Sequence, residues 1–156
     1  MFFRLYKSGD FAQLYAIEEL CFQPPFRFSR TYLHQLVQSE ASATWIAESD
    51  DVIAGFAVVE WGPGRGATEA YIQTIEVAPD HRRHGIGNEL LRRLEDSAKA
   101  AAANSIWLHV DAENEPAIKL YEAHGYRHEG REEHYYARSR AALIYRKPLE
   151  SLAGPA

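Results

Sequence analysis

The chain has 156 residues, 46% of them hydrophobic and 12% aromatic, which supplies one globular domain with a sizeable core. A net charge of -5 and a pI of about 5.8 exclude the basic footprint of a nucleic-acid binder and leave a mildly acidic surface that favours cationic substrates at long range. Met1 to Leu5 is too short and too soon interrupted by Arg4 and Lys7 for a signal peptide, no apolar run reaches membrane-spanning length, and the single Cys21 has no internal disulfide partner; the expectation is a soluble cytoplasmic protein with Cys21 as a buried apolar side chain.

Phe2 to Tyr6 reads as a first strand. Asp10 can then cap a helix with Phe11, Leu14, Tyr15 and Glu18 at helical spacing, ending near Cys21. Pro24-Pro25-Phe26 forbids its continuation, and Ser29 caps a second helix carrying Tyr32, Leu33, Leu36 and Val37. Thr44 to Glu48 and Val52 to Trp61 are β-rich runs around Ser49-Asp50-Asp51, the signature of a hairpin. Glu69 to Ala78 is a further strand, with Tyr71, Gln73, Ile75 and Val77 on one face and Ile72, Thr74 and Glu76 on the other. Gly87 to Ala103 has Leu90, Leu91, Leu94 and Ala98 at helical intervals, with Ala100 to Ala103 extending the tail. Ile106 to Val110 is a buried strand, Asn114-Glu115-Pro116 opens a helix that Gly125 stops, and Tyr126 to Glu129 and Ala141 to Lys147 complete the sheet. One domain over 1–150 and a loose tail at 151–156 follow.

Between the Glu69 strand and the long helix lies Arg82-Arg83-His84-Gly85-Ile86-Gly87. The first N–H groups of a helix lack internal partners and the helix dipole is positive there, so this turn can bind an anion. Gly85 and Gly87 allow unusual φ and close approach of a phosphate, Arg82 and Arg83 add charge, and the N–H groups from Arg83 to Asn88 form a nest suited to pyrophosphate. The spacing is neither that of a dinucleotide fingerprint nor that of a nucleoside-triphosphate loop.

Three linked motifs carry a resemblance: Ile75-Glu76-Val77-Ala78-Pro79, then Arg82-x-x-Gly85-x-Gly87, then Asn114-x-x-Ala117-x-x-Leu120-Tyr121-x-x-x-Gly125-Tyr126. Together the segment from Ile75 to Tyr126 resembles the GCN5-related N-acetyltransferase (GNAT) superfamily. Trp107-Leu108, Glu19-x-Cys21-Phe22 with Pro25, Phe26 and Ser29, and His134-Tyr135-Tyr136 are similar to its RimI-like ribosomal-protein-alanine branch. The resemblance implies an α/β fold with a mixed, mostly antiparallel, splayed sheet, helices on both faces, and acetyl-CoA in the cleft as cosubstrate. It implies that the backbone of Ile75, Glu76 and Val77 pairs with the pantetheine arm, that Arg82, Arg83, His84, Gly85, Ile86, Gly87 and Asn88 hold the pyrophosphate, and that Asn114 contacts the cofactor further along. Asn114 would equally serve as a plain helix N-cap.

Acetyl transfer to an amine needs a neutral nucleophile, a stabilised carbonyl oxygen and a proton for the departing thiolate. An α-amino group with a pKa of about 8 deprotonates far more readily than a lysine at about 10.4, so a protein or peptide N-terminus is the easier acceptor. RimI-like enzymes carry a glutamate base at the position that here is His109; histidine can do the same work, and Glu76, acting through water, and Asp111 compete for the role. Tyr121 occupies the family's position for the acid that protonates the thiolate, although at its helical spacing it would also pack as core. A backbone N–H from Ile75 to Val77 would stabilise the carbonyl oxygen. Tyr135 and Tyr136 with Phe26 and Phe28 are candidates for the walls of an acceptor slot. His81, His84, His124, His128 and His134 do not recur at a zinc-ligand spacing, and no metal is assigned. A small-molecule amine as acceptor and a non-catalytic CoA-binding module are the alternatives.

Overall fold

Asp50 and Asp51, at φ of 50° and 65°, make the tight turn of a hairpin whose positive φ values match the right-handed twist of the strands it joins. The strands are β2 (Ser42–Ser49) and β3 (Val52–Pro63) in the computed structural model, which describes residues 1–137 and 139–150. The tail expected at 151–156 lies outside the described residues. With β1 (Phe2–Leu5), β4 (Thr68–Val77), β5 (Ser105–Asp111), β6 (Arg127–Ala137) and β7 (Arg140–Pro148) they form a seven-stranded sheet in the order β1-β2-β3-β4-β5-β7-β6. Every pairing is antiparallel except β4 with β5. The mixed, mostly antiparallel sheet expected from the sequence is the one observed.

Helices cover both faces. On one, Leu90, Leu91, Leu94 and Ala98 of α3 (Ile86–Ala100) are fully buried against Ala57, Val59, Ile72, Ile106 and Leu108, and Ala117, Ile118 and Leu120 of α4 (Glu115–Ala123) pack on the same cluster. On the other, Leu14 and Ile17 of α1 (Phe11–Cys21) and Leu33 and Leu36 of α2 (Arg30–Gln38) pack on Ile46, Phe56 and Val58. Burying each such side chain contributes about 1.5–3 kcal/mol, which is what seats the helices. No helix among the described residues is long and apolar enough to cross a membrane.

Ser29 caps α2 as expected, its Oγ accepting from the Tyr32 N–H at 3.0 Å. Asp10 does not cap α1: its carboxylate accepts instead from the Lys7 N–H at 2.7 Å and from Arg4 at 2.8 Å, closing a short 3-10 turn before the helix. Helix α3 stops short of the predicted Ala103. Ala102 takes φ of 64° and the Ala103 N–H returns to the Ala98 carbonyl at 3.0 Å, a left-handed helix ending made here without glycine.

Two features of β4 position the site. Val58 of β3 pairs with Thr74 while Val59 pairs with Ile72, so Gln73 is an extra, bulged residue. The bulge resets the side-chain alternation. Ala70 and Ile72 face α3 before it, Ile75 and Val77 face α3 after it, and Tyr71, Thr74 and Glu76 turn to the opposite side. The predicted single face of Tyr71, Gln73, Ile75 and Val77 is therefore broken in the middle, because strict period-two alternation fails at a bulge. The second feature is a splay: β4 pairs with β5 only from Glu69 to Ile72 against Ser105 to Leu108, after which the two strands part and β5 stays with β7.

Candidate functional site

The wedge left by the splay is a cleft of about 1110 Å³. Its floor is Ile72 to Ile75 of β4, with Trp107 to Asp111 of β5 opposite; the loop from Phe22 to Phe28 closes one side, and Asn114, Ala117 and Tyr121 of the α4 region close the other. The edge of β4 is open here. The Ala78 N–H reaches back to Ala54 of β3 at 2.8 Å, so by alternation Val77 and Ile75 turn their backbone groups away from β3 and toward the wedge. The Val77 carbonyl already accepts from Arg82 Nε at 2.9 Å and from Cys21 Sγ at 3.6 Å, which leaves Ile75 as the open rung. Cys21 is thus half-buried at the cleft rather than sealed in the core, and burial pushes its thiol above the usual range, away from nucleophilic character.

At the end of β4 the glycine turn has the conformation of an anion cradle. Arg83 at φ 67° and Gly85 at φ 76° take left-handed backbone, and α3 begins immediately after at Ile86. The glycines differ. Gly85 is required by its φ, whereas Gly87 lies within the first turn of α3, where a Cβ would touch only Leu120 Cδ2 at 3.7 Å. Arg82 curls back onto β4, while Arg83 and His84 are exposed at the turn. Asn88 is held by His124 across the start of α3, 2.8 Å between Oδ1 and Nε2. Asn114 does cap α4, its Oδ1 accepting from the Ala117 N–H at 3.2 Å, and it lines the cleft as well.

Tyr121 reaches the cleft from α4. It is 7% exposed, and its ring packs on Tyr126 at 5.6 Å between centroids. Burial raises its pKa well above that of a free phenol, so the hydroxyl is a neutral donor at any working pH.

His109 is the best-defined polar group of the site. Its side chain is 9% exposed, its ring stacks on Tyr135 at 4.2 Å, and both nitrogens are engaged: Nδ1 lies 2.8 Å from the Tyr71 hydroxyl and Nε2 lies 3.0 Å from Glu132 Oε1. A carboxylate can only accept, so Nε2 carries the proton and Nδ1 accepts from Tyr71. Burial first, and the neighbouring Tyr135 second, raise the Tyr71 pKa strongly, which keeps its phenol protonated. Tyr71, His109 and Glu132 form a hydrogen-bonded chain from the middle of the cleft to its rim. Sequence reasoning found His109 but neither partner. Tyr71 looks like any strand residue until the splay aims it at β5, and Glu132 is distant in sequence.

Glu76 has a different setting. It is 2% exposed, does not line the cleft, and its Oε2 accepts from Thr74 Oγ1 at 2.8 Å. Burial first, and the neighbouring fully buried Glu18 carboxyl second, hold its pKa far above the usual carboxylate range. Asp111 does line the cleft, but Arg140 Nε pairs with it at 3.0 Å. The aromatic walls are where the sequence put them, with Phe26 on Tyr136 at 5.0 Å, Tyr135 on Tyr136 at 4.9 Å, and Phe28 on Tyr32 at 5.4 Å. Among the described residues no group of three or more His, Cys, Asp or Glu side chains is arranged to hold a metal ion.

Residues 11–126 match the model of the Acetyltransferase (GNAT) family. The streptothricin acetyltransferase of Streptomyces lavendulae is 40% identical over 86 residues, 54% of this chain and 44% of that protein. The [ribosomal protein bS18]-alanine N-acetyltransferase of Salmonella typhimurium is 33% identical over 104 residues, 65% of this chain and 68% of its own. Among solved structures, the ribosomal-protein-S18-alanine N-acetyltransferase of Escherichia coli superposes with a TM-score of 0.83 at 28% identity, covering 98% of this chain and 96% of that one.

Proposed function

The chain belongs to the GNAT acetyltransferase family, and from that premise we propose that it transfers acetyl from acetyl-CoA directly to a primary amine, with a peptide or protein N-terminus as the acceptor. The observation that carries this reading is the Tyr71–His109–Glu132 chain lying beside the open edge of β4. The cofactor side fits the chain's own residues: Ile75 offers unpaired backbone, Gly85 and the start of α3 offer N–H groups to pyrophosphate, and Asn114 and Tyr121 close the wall. Acetyl-CoA supplies the activated thioester. His109 is the base. As the amine attacks, its proton passes to the Tyr71 oxygen while the Tyr71 proton passes to His109 Nδ1, and Glu132 stabilises the imidazolium that results. This relay never requires a phenolate, in keeping with the raised pKa of Tyr71. Glu76, buried off the cleft wall with its pKa raised, is a structural group in this reading, and Asp111 is held by Arg140.

Tyr121, neutral and on the cleft, is the donor to the departing thiolate. Two further features support an extended acceptor. Tyr32 and Tyr135 at the mouth are 43% and 42% exposed, so the acceptor side is an open groove. The relatives of Salmonella and Escherichia coli are named for transfer to a ribosomal-protein alanine. The test is CoA release against peptides beginning with Ala, Ser or Met, lysine peptides acetylated at the α-amine, and polyamines. Turnover of free α-amines is expected; release at background with every amine despite tight acetyl-CoA binding would reduce the protein to a CoA-binding module.

A further inference from the structure

We propose that the acceptor groove contains a cation-binding subsite built on Glu60, so that the preferred acceptor carries a second positive charge within about one residue of the reacting amine; this rests on the acetyl-transfer reading above. Glu60 is the direct cross-strand partner of Tyr71 in the β3–β4 pair. Such partners share a face with their Cβ atoms about 5 Å apart, and both side chains line the groove, so the carboxylate stands on the same wall as Tyr71. The bulged Gln73 donates its side-chain amide to Glu60 Oε1, which orients the carboxylate in the groove. Tyr32, Tyr71, Trp107 and Tyr135 line the groove with it and offer π faces to a cation.

Charge accounting singles Glu60 out. The other carboxylate lining the groove, Asp111, is neutralised by Arg140 at 3.0 Å, and Glu132 at the rim accepts from His109 Nε2 at 3.0 Å. The one remaining arginine of the groove, Arg27, directs its guanidinium to the Phe22 and Glu19 carbonyls at 3.0 and 3.3 Å. Among the described residues no Lys, Arg or His pairs with Glu60. A half-buried carboxylate whose Oε2 has no hydrogen-bond partner among the described residues, in a groove lined by aromatic faces and Tyr71, is a receptor for an ammonium or guanidinium group. The geometry suits a Lys or Arg side chain at the first or second residue of a peptide and equally a free molecule with two amino groups. The chain's net charge of -5 favours the approach of either.

The experiment compares kcat/KM by CoA release for matched pairs differing only in charge: Ala-Lys against Ala-norleucine tetrapeptides, and lysinamide against norleucinamide as the free-molecule arm. The expected result is a preference of about tenfold or more for the cationic member in at least one arm, weakened by salt. The arm that shows it identifies the source of the cation. In Glu60→Gln the preference falls to about twofold or less, and Glu60→Lys shifts preference toward an Ala-Glu peptide, with thermal melting confirming that both variants fold. Equal turnover of charged and neutral members by the wild-type protein, or full preference retained in folded Glu60→Gln, overturns the subsite and leaves acetyl transfer standing. No turnover of any member overturns both.

Discussion

Replacing His109 by Ala removes the group to which both ends of the relay connect, Nδ1 to Tyr71 at 2.8 Å and Nε2 to Glu132 at 3.0 Å. Loss of a positioned general base costs about 10²–10⁴ in rate, or about 2.7–5.4 kcal/mol of transition-state stabilisation. The loss is expected in kcat, with KM for acetyl-CoA little changed, because His109 lies on the acceptor side of the cleft, away from the glycine turn. Tyr71→Phe keeps the ring that packs on Trp107 at 4.6 Å and deletes only the hydroxyl, so it isolates the chemistry from the fold. A loss of about 10–10² is expected for it, smaller because water can bridge the amine to His109. Glu132 is 50% exposed and solvent screens its charge, so Glu132→Gln slows turnover by only about threefold to tenfold. The decisive variant is the double one. Groups that act as a unit are not additive, and Tyr71→Phe combined with His109→Ala is expected within about threefold of His109→Ala alone. CoA release under saturating acetyl-CoA reads all four. Wild-type kcat in Tyr71→Phe, or losses that simply multiply in the double variant, would refute the relay.

The two glycines of the turn separate folding from binding. Gly85→Val forces a β-branched residue to φ 76° and is expected to lower stability by about 1–2 kcal/mol and acetyl-CoA affinity with it. Gly87→Val meets only Leu120 at 3.7 Å, so melting should hold while affinity falls; calorimetric titration with unchanged affinity would remove the pyrophosphate from this site. Tyr121→Phe leaves packing on Tyr126 intact and is expected to spare acetyl-CoA binding while lowering kcat; an unchanged kcat moves the acid elsewhere. For Glu76, a raised folded-state pKa means that stability is complete below the unfolded value near about 4.5 and declines as pH rises toward the folded value. Glu76→Gln is therefore expected to melt progressively higher relative to wild type as pH rises above about 4.5, with turnover retained. Loss of turnover without loss of stability would return Glu76 to the list of bases.

The element order, the Ser29 cap, the Asp50-Asp51 turn and the unusual φ of Gly85 were legible in the sequence because each depends on residues within a few positions of one another. Periodicity sufficed for the buried face of α3 and for Leu33, Leu36 and Val37 of α2, whereas Tyr32 of the same stripe is exposed. At Asp10 competing local partners, Arg4 and Lys7, took the carboxylate, and at the end of α3 Ala102 adopted a conformation that alanine seldom takes.

The chain by itself therefore determined the strand, glycine turn and helix proposed for the donor side, since these are contiguous and the turn's backbone conformation is local. The acceptor side belongs to tertiary structure. The bulge at Gln73 and the parting of β4 from β5 after Ile72 decide which side chains face the wedge, and neither leaves a mark in local sequence. Only that geometry joins Tyr71, His109 and Glu132 into one chain, sets Glu60 across from Tyr71, and withdraws Glu76 into the buried contact with Glu18. A side chain's chemistry follows from its burial and its neighbours, and here those neighbours lie on strands far apart in the chain.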